Sequence, residues 1–131
     1  MRRLSKEFGV LLLLAGVFTL GSVWWFWPIT ADTGEITLTE ARRQQPLWID
    51  ARSAAEYEAA HIPGARLLNP ANWESDIPGI LEAWTPPGRS AVVYCAAPDA
   101  AASREIAERL RAFQLGPVFR LQGGWKAWET Q

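Results

Sequence analysis

Hydrophobic residues divide the 131-residue chain into two parts. The run from Phe8 to Trp27 contains no charged residue, and it ends in the aromatic cluster Trp24 to Trp27. A helix of about 20 residues, rising about 1.5 Å per residue, spans the roughly 30 Å hydrocarbon core of a bilayer. Clustered tryptophans are typical of the membrane–water interface. We therefore predict a transmembrane signal anchor over residues 8–27.

The segments that flank this run predict its orientation. Three basic residues lie within residues 1–7, and this bias places the N-terminus in the cytoplasm and the rest of the chain in the periplasm or outside the cell. Residues 28–35 are polar and contain Pro28 and Gly34, so they form a linker. The alternative is a cleaved signal peptide, for which Ile29-Thr30-Ala31 is a poor small-x-small cleavage site.

From residue 36 to the C-terminus, short apolar runs alternate with helical patterns. An uninterrupted apolar run typical of a buried strand lies at Leu47–Ile49, ending at Asp50, and the clearest strand is predicted at Ala91–Tyr94. Further strands are predicted at Val118–Leu121, Ile36–Leu38 and Arg66–Leu68. Helices are predicted at Glu40–Gln45 after an N-cap at Thr39, at Ser53–Ala60 with a Ser53/Glu56 capping box, within Ile80–Trp84, at Ser103–Phe113, and around Trp125 and Trp128. Residues 70–88 are otherwise expected to be irregular. The alternation predicts one α/β domain over residues 36–131, with a central parallel sheet flanked by helices on both faces.

Composition and charge exclude several classes of function. The formal net charge is −1, and no basic stripe follows the N-terminus, so a nucleic-acid partner is not expected. One cysteine excludes an intramolecular disulfide. With a single histidine as well, the chain is not expected to build a zinc site, and we predict no metal or other cofactor.

The candidate nucleophile is Cys95, which directly follows the clearest predicted strand and begins the loop Cys95–Ala102. Active sites of parallel sheets lie beyond the carboxyl ends of the strands. Backbone N–H groups of such a loop, together with the dipole of the following helix, favour negative charge on the sulfur and so produce a nucleophile. The alternative is an inert buried thiol.

Three motifs carry a family resemblance. They are Asp50-Ala51-Arg52 with Glu56-Tyr57 and His61-Ile62-Pro63-Gly64-Ala65, then Val92-Val93-Tyr94-Cys95, then Leu121-Gln122-Gly123-Gly124-Trp125 with Trp128. In this order and spacing they resemble the signatures of the rhodanese-like family, over about Ile36 to Glu129.

The resemblance implies a sulfurtransferase. Cys95 would accept sulfane sulfur from a small donor such as thiosulfate or a persulfide, and pass it to a thiol or protein acceptor. The substrate-binding positions that it implies are Ala96, Ala97, Asp99, Ala100 and Ala101, with Arg104 as a source of positive charge. Asp50, Arg52 and His61 fall on family positions that are mainly structural: an ion pair at a strand end and a residue that fixes the Ile-Pro-Gly turn.

The loop departs from the pattern of active members. It contains no basic residue, and Pro98 removes one N–H donor. Asp99 would repel an anionic donor if it lies close to the sulfur; the alternatives are that it points to solvent or caps the helix that starts near Ala100. A catalytically weak or inactive protein-binding module is therefore the alternative function. A phosphatase or arsenate reductase is disfavoured because such enzymes need an arginine commonly six residues after the cysteine, where this chain has Ala101.

Overall fold

The computed structural model describes residues 34–96 and 100–131. The predicted signal anchor at residues 8–27 lies outside this part, as does most of the predicted linker. Within the described residues, no helix is both long and apolar enough to cross a membrane. Gly34 and Glu35, the end of the predicted linker, are part of the sheet region, because Glu35 is the first residue of a strand and the Gly34 carbonyl accepts from the Arg120 N–H.

The domain is built on a five-stranded sheet in which every pair of neighbours is parallel. Its strands are β1 (Glu35–Ile36), β2 (Leu47–Asp50), β3 (Arg66–Leu67), β4 (Ala91–Tyr94) and β5 (Val118–Leu121), in the spatial order β1-β5-β4-β2-β3. The helices are α1 (Leu38–Gln44), α2 (Ala54–Ala59), α3 (Trp73–Ala83), α4 (Ala101–Arg111) and α5 (Gly124–Glu129), with a 3₁₀ turn at Pro70–Asn72 before α3. The predicted α/β class and parallel sheet are confirmed.

The side chains of β4 separate two hydrophobic layers, because successive residues of a strand point to opposite faces of the sheet. On one face, Val93 packs in a layer that also contains buried residues of α3 and α4. On the other face, Val92 and Tyr94 pack in a layer with Ile62 and Leu121. Cys95, two residues after Val93, points to the same face as Val93 and belongs to the layer of α3 and α4.

The predicted capping box at the start of α2 is present. The Ser53 hydroxyl accepts a hydrogen bond from the Glu56 N–H, and the Glu56 carboxylate accepts one from the Ser53 N–H. Two donors that the first turn would leave unpaired are thereby satisfied. The box starts α2 directly after the end of β2 and so holds the chain near Arg52.

The prediction for α1 was wrong by two residues. The N-cap is Thr37, whose hydroxyl accepts from the Glu40 N–H at 3.3 Å, and α1 begins at Leu38. The strand predicted over Ile36–Leu38 therefore ends at Ile36. Two threonines two residues apart offer alternative caps, and the pairing of β1 with β5 selects the first by ending the extended segment there.

The irregular region predicted at residues 70–88 is largely helical. Helix α3 runs from Trp73 to Ala83 and contains Pro78, which removes a backbone donor from the helix interior. The apolar contacts of Ile77, Ile80 and the fully buried Trp84 compensate for that loss. In addition, the Trp84 indole N–H donates to the Arg89 carbonyl at 2.6 Å. Tertiary burial therefore overrides the local preference of a proline.

Replacing Ser53 by alanine should lower the free energy of unfolding by about 1 kcal/mol, because the helix loses its cap. Accepting hydrogen bonds from the Ser53 N–H and hydroxyl lowers the pKa of Glu56. The stability that these hydrogen bonds to the ionised Glu56 contribute is present above the unfolded-state pKa of a glutamate, and it is lost as pH falls below about 4. The deficit of Ser53→Ala, measured by urea denaturation at neutral pH, should therefore shrink at acid pH. Thr39→Ala, at an exposed position inside α1, is the control and should cost little.

Candidate active site

Cys95 lies immediately beyond the carboxyl end of the central strand β4. Only 4% of the residue is exposed, and it packs in the same layer as Val93 and Ala107. Its backbone carbonyl accepts a hydrogen bond from the Trp125 N–H at 2.8 Å. The cysteine is therefore held in the sheet by its backbone and in the core by its side chain.

Helix α4 begins nearer to the cysteine than predicted. Its first residue is Ala101 rather than Ser103, and its last is Arg111 rather than Phe113. Ala100 is the N-cap, and its side chain cannot accept a hydrogen bond from the first turn. The hydroxyl of the buried Ser103 donates back to the Ala100 carbonyl at 3.1 Å, which stabilises the start of the helix. The early start brings Ala101 into the first turn, whose N–H groups have no partner within the helix.

The other predicted substrate-binding residues differ in their exposure. Ala96 and Ala101 are exposed, and Ala100 is partly buried. Ala97 and Asp99 lie outside the described residues. Arg104 is exposed at the end of the first turn of α4, and among the described residues it has no ion-pair partner.

Asp50 and Arg52 form a buried ion pair at the end of β2, with 0% and 6% of each residue exposed. The guanidinium donates to both carboxylate oxygens, with Nε at 3.0 Å from Oδ1 and an Nη at 2.7 Å from Oδ2. The Arg52 backbone N–H also donates to Oδ1, and its guanidinium donates to the Ala60 carbonyl. These contacts join the ends of β2 and α2.

Tyr94 completes the buried network, and sequence analysis did not single it out. Its hydroxyl donates to Asp50 Oδ2 at 2.9 Å and accepts from the Ile62 N–H at 3.2 Å. Burial, the largest cause, raises the pKa of Tyr94 well above its ordinary value, so the hydroxyl keeps its proton. A tyrosine on an otherwise aliphatic strand, directly before the cysteine, is the sequence signal that could have found it.

His61 lies apart from this network. Its ring stacks on Tyr57 with centroids 3.9 Å apart, and its Nδ1 lies 2.7 Å from the Tyr57 carbonyl. A carbonyl only accepts, so Nδ1 carries the proton. The Tyr57 hydroxyl in turn donates to the Ala65 carbonyl. This pair of rings holds the turn that follows α2, and the structure gives His61 no contact with Asp50 or Arg52.

No metal site accompanies the cysteine in the described part of the chain. No group of three or more histidine, cysteine, aspartate and glutamate side chains is arranged there to hold an ion.

Replacing Tyr94 by phenylalanine should remove an alkaline loss of stability. Because the folded-state pKa of Tyr94 is raised, the wild-type chain loses stability as pH rises past about 10, where an unfolded tyrosine ionises. Tyr94→Phe should be less stable at neutral pH by about 1–3 kcal/mol, since Asp50 and Ile62 each lose a partner. The difference between the free energies of unfolding of wild type and Tyr94→Phe, measured by denaturant titration, should become smaller between about pH 9 and 11. Tyr57→Phe is the control, and an equal narrowing in that variant would contradict the assignment.

The fold and the site together define a class. An all-parallel sheet carries a cysteine at the end of its central strand, followed by a helix whose first turn lies six residues along the chain. The model of the rhodanese-like domain matches residues 36–131. The chain belongs to the rhodanese-like domain family.

Solved structures agree with this assignment. A rhodanese-like domain protein from Staphylococcus aureus is 24% identical, with a TM-score of 0.53, over 72% of this chain and 89% of its own. A rhodanese-related protein from Thermoplasma volcanium is 16% identical, with a TM-score of 0.58, over 73% and 90%. These two show the fold.

A thiosulfate sulfurtransferase from Pseudomonas aeruginosa is 25% identical, with a TM-score of 0.58. The match covers 73% of this chain but only 18% of that enzyme. No curated protein matches the chain significantly.

Proposed function

We propose that the domain is a sulfurtransferase in which Cys95 carries sulfane sulfur as a persulfide. The observation that carries this proposal is the place of Cys95, the only cysteine of the chain, between the central strand β4 and the first turn of α4. The similarity to a Pseudomonas aeruginosa thiosulfate sulfurtransferase supports the same chemistry.

The reaction has two displacements at sulfur. The Cys95 thiolate attacks the outer sulfur of thiosulfate, a new S–S bond forms, and the bond to the sulfonate sulfur breaks as sulfite leaves with the electron pair. An acceptor thiolate then attacks the outer sulfur of the Cys95 persulfide. It departs as a persulfide, and Cys95 is left as the thiolate. Each step is a thiol–disulfide type of exchange and needs no redox cofactor.

In both displacements the reacting sulfur atoms carry negative charge, which hydrogen-bond donors near Cys95 would stabilise. We assign this role to the backbone N–H groups of Ala96, Ala97 and Asp99 to Ala101, and to the positive end of the α4 dipole. Arg104 adds the cation that the loop lacks in its own sequence. Because its side chain is exposed and has no ion-pair partner among the described residues, it is available to an anionic donor.

The tether is part of the same proposal. The uncharged run at residues 8–27 and its terminal tryptophans support a membrane anchor, and the preceding basic residues support a catalytic domain in the periplasm or outside the cell. The partners are then a small sulfur donor and a thiol or protein acceptor on that side of the membrane.

The full chain incubated with thiosulfate should gain about 32 Da, the mass of one sulfur, on Cys95. Intact mass spectrometry measures this gain, and treatment with cyanide should reverse it. Cys95→Ser is the matched control and should gain nothing. If the wild-type chain stays unmodified with thiosulfate, a glutathione persulfide and a polysulfide, the catalytic proposal is wrong.

Arg104→Ala should raise the KM for thiosulfate several-fold and leave kcat nearly unchanged, since a surface charge acts mainly on the capture of an anion. The effect should diminish in high salt, which screens exposed charges. Arg66→Ala removes another exposed arginine that has no ion-pair partner in the described part of the chain, and should leave KM unchanged. Equal KM values for wild type and Arg104→Ala at low salt would remove Arg104 from the site.

A non-catalytic binding module is the second candidate. It is favoured by the burial of Cys95, of which only 4% is exposed, and by the absence of a basic residue from the loop sequence. In that case Cys95→Ser should retain the biological function of the host protein, and the wild-type chain should form no persulfide with any of the three donors.

A further inference from the structure

A hydrogen bond joins the start of α5 to the candidate nucleophile. Trp125 is the second residue of α5, so its N–H is one of the donors that a helix cannot pair internally. It donates instead to the Cys95 carbonyl at 2.8 Å. The peptide group between Cys95 and Ala96 is planar and trans, so the Ala96 N–H points opposite to that carbonyl. Fixing the carbonyl therefore fixes the direction of the first N–H of the loop.

The indole of Trp125 is held by the buried ion-pair network. The Arg52 guanidinium carbon lies 4.2 Å from the centroid of the indole, and the Tyr94 ring stacks on it at 6.0 Å and 26°. Arg52 is itself immobilised by Asp50 and by the Ala60 carbonyl. The contacts therefore run without a break from the Asp50 carboxylate, through Arg52 and Trp125, to the backbone of Cys95.

The chain reaches this position through a glycine turn. Gly123 has a φ of +82°, a conformation that residues with a side chain rarely adopt. A Cβ on Gly123 would lie 3.0 Å from the Ala127 Cβ, so a side chain would also crowd α5. The turn sets the start of α5 and hence the position of the Trp125 N–H.

We propose that Trp125 is a positioning residue for Cys95. Anchored by Arg52 and Tyr94, it holds the Cys95 carbonyl and thereby aims the Ala96 N–H away from α5, where it stabilises negative charge on the reacting sulfur. This inference rests on the proposed sulfur transfer at Cys95, and it links that site through Trp125 to the Asp50–Arg52 ion pair.

Trp128 provides a matched comparison within the same helix. Its ring meets the Trp48 ring edge-on at 6.2 Å, and the Arg42 guanidinium lies 4.7 Å from its centroid. Trp128 is therefore a partly buried tryptophan with its own cation and aromatic neighbour, but with a different set of contacts from Trp125. Its replacement removes similar packing and leaves the bond to Cys95.

The test compares Trp125→Ala, Trp125→Leu, Trp125→Phe and Trp128→Ala in the full chain. Two rates are measured: alkylation of Cys95 by iodoacetamide at fixed pH, and thiosulfate-dependent sulfur transfer. Trp125→Ala and Trp125→Leu keep the backbone N–H but lose the indole that anchors it, so the Ala96 N–H should no longer be aligned with the sulfur. We expect kcat to fall about tenfold, the effect of one hydrogen bond to a charged group, with KM for thiosulfate unchanged. Trp125→Phe keeps an aromatic face for Arg52 and should recover most of kcat, and Trp128→Ala should match wild type.

The alkylation rate separates the two proposals, because it needs no sulfur transfer. If the wild-type chain forms no persulfide, the proposed function fails, but slower alkylation of Trp125→Leu than of Trp125→Phe would still support the positioning role. The positioning role would be wrong if Trp125→Leu had the same alkylation rate and kcat as wild type. It would also be wrong if Trp128→Ala lost as much kcat as Trp125→Leu. If Trp125→Ala shows no cooperative unfolding transition, it is not folded and is left out. The positioning role is then tested by comparing Trp125→Leu with Trp125→Phe.

Discussion

The Asp50 carboxylate is buried without access to water, and much of the domain is arranged to satisfy it. Its oxygens accept from the Arg52 backbone N–H, the Arg52 guanidinium and the Tyr94 hydroxyl. Removing water from a charge costs several kcal/mol, so the fold is stable only if these partners stay in place, and losing the charged partner, the Arg52 guanidinium, costs about 3–5 kcal/mol. The requirement ties the end of β2 to the end of β4 on one face of the sheet.

This constraint propagates in two directions. Through the Ala60 carbonyl and the Ile62 N–H, the network holds the chain that leaves α2. The stacked rings of Tyr57 and His61 stabilise the same turn. Through the faces of Arg52 and Tyr94, it holds the indole of Trp125 and so the start of α5. The backbone of Cys95 is thus joined to this network through the Trp125 N–H.

The burial of Cys95 reflects a compromise between core and site. The alternation of β4 sends its side chain into the layer of α3 and α4, where it packs as a small apolar residue. Sulfur chemistry needs the same atom to meet a donor and an acceptor. A site of this kind favours compact substrates and depends on accurate alignment, which explains why a backbone hydrogen bond to the Cys95 carbonyl matters to the proposed chemistry.

Much of this architecture was open to prediction from the sequence. The apolar runs of β2 and β4 predicted their strands, because a strand buried on both faces is nearly continuously apolar. The Ser53/Glu56 pair predicted the start of α2, since a capping box satisfies donors within four residues. Cys95 was predicted as the nucleophile from its place after the clearest strand, and Asp50 and Arg52 were predicted as an ion pair from the motif that contains them. Local patterns were sufficient wherever the deciding contacts were local.

Tertiary structure alone decided the rest. A proline-containing segment became α3 because Ile80 and Trp84 had a core to fill, and the helix after the cysteine began at Ala101 because its buried face, with Ser103 and Ile106, met the sheet. Tyr94 depends on partners 32 and 44 residues away, and Trp125 depends on the Cys95 carbonyl, which lies just beyond the end of β4. Such partners leave no periodicity in the sequence, because folding alone brings the buried charge of Asp50 and its donors into contact.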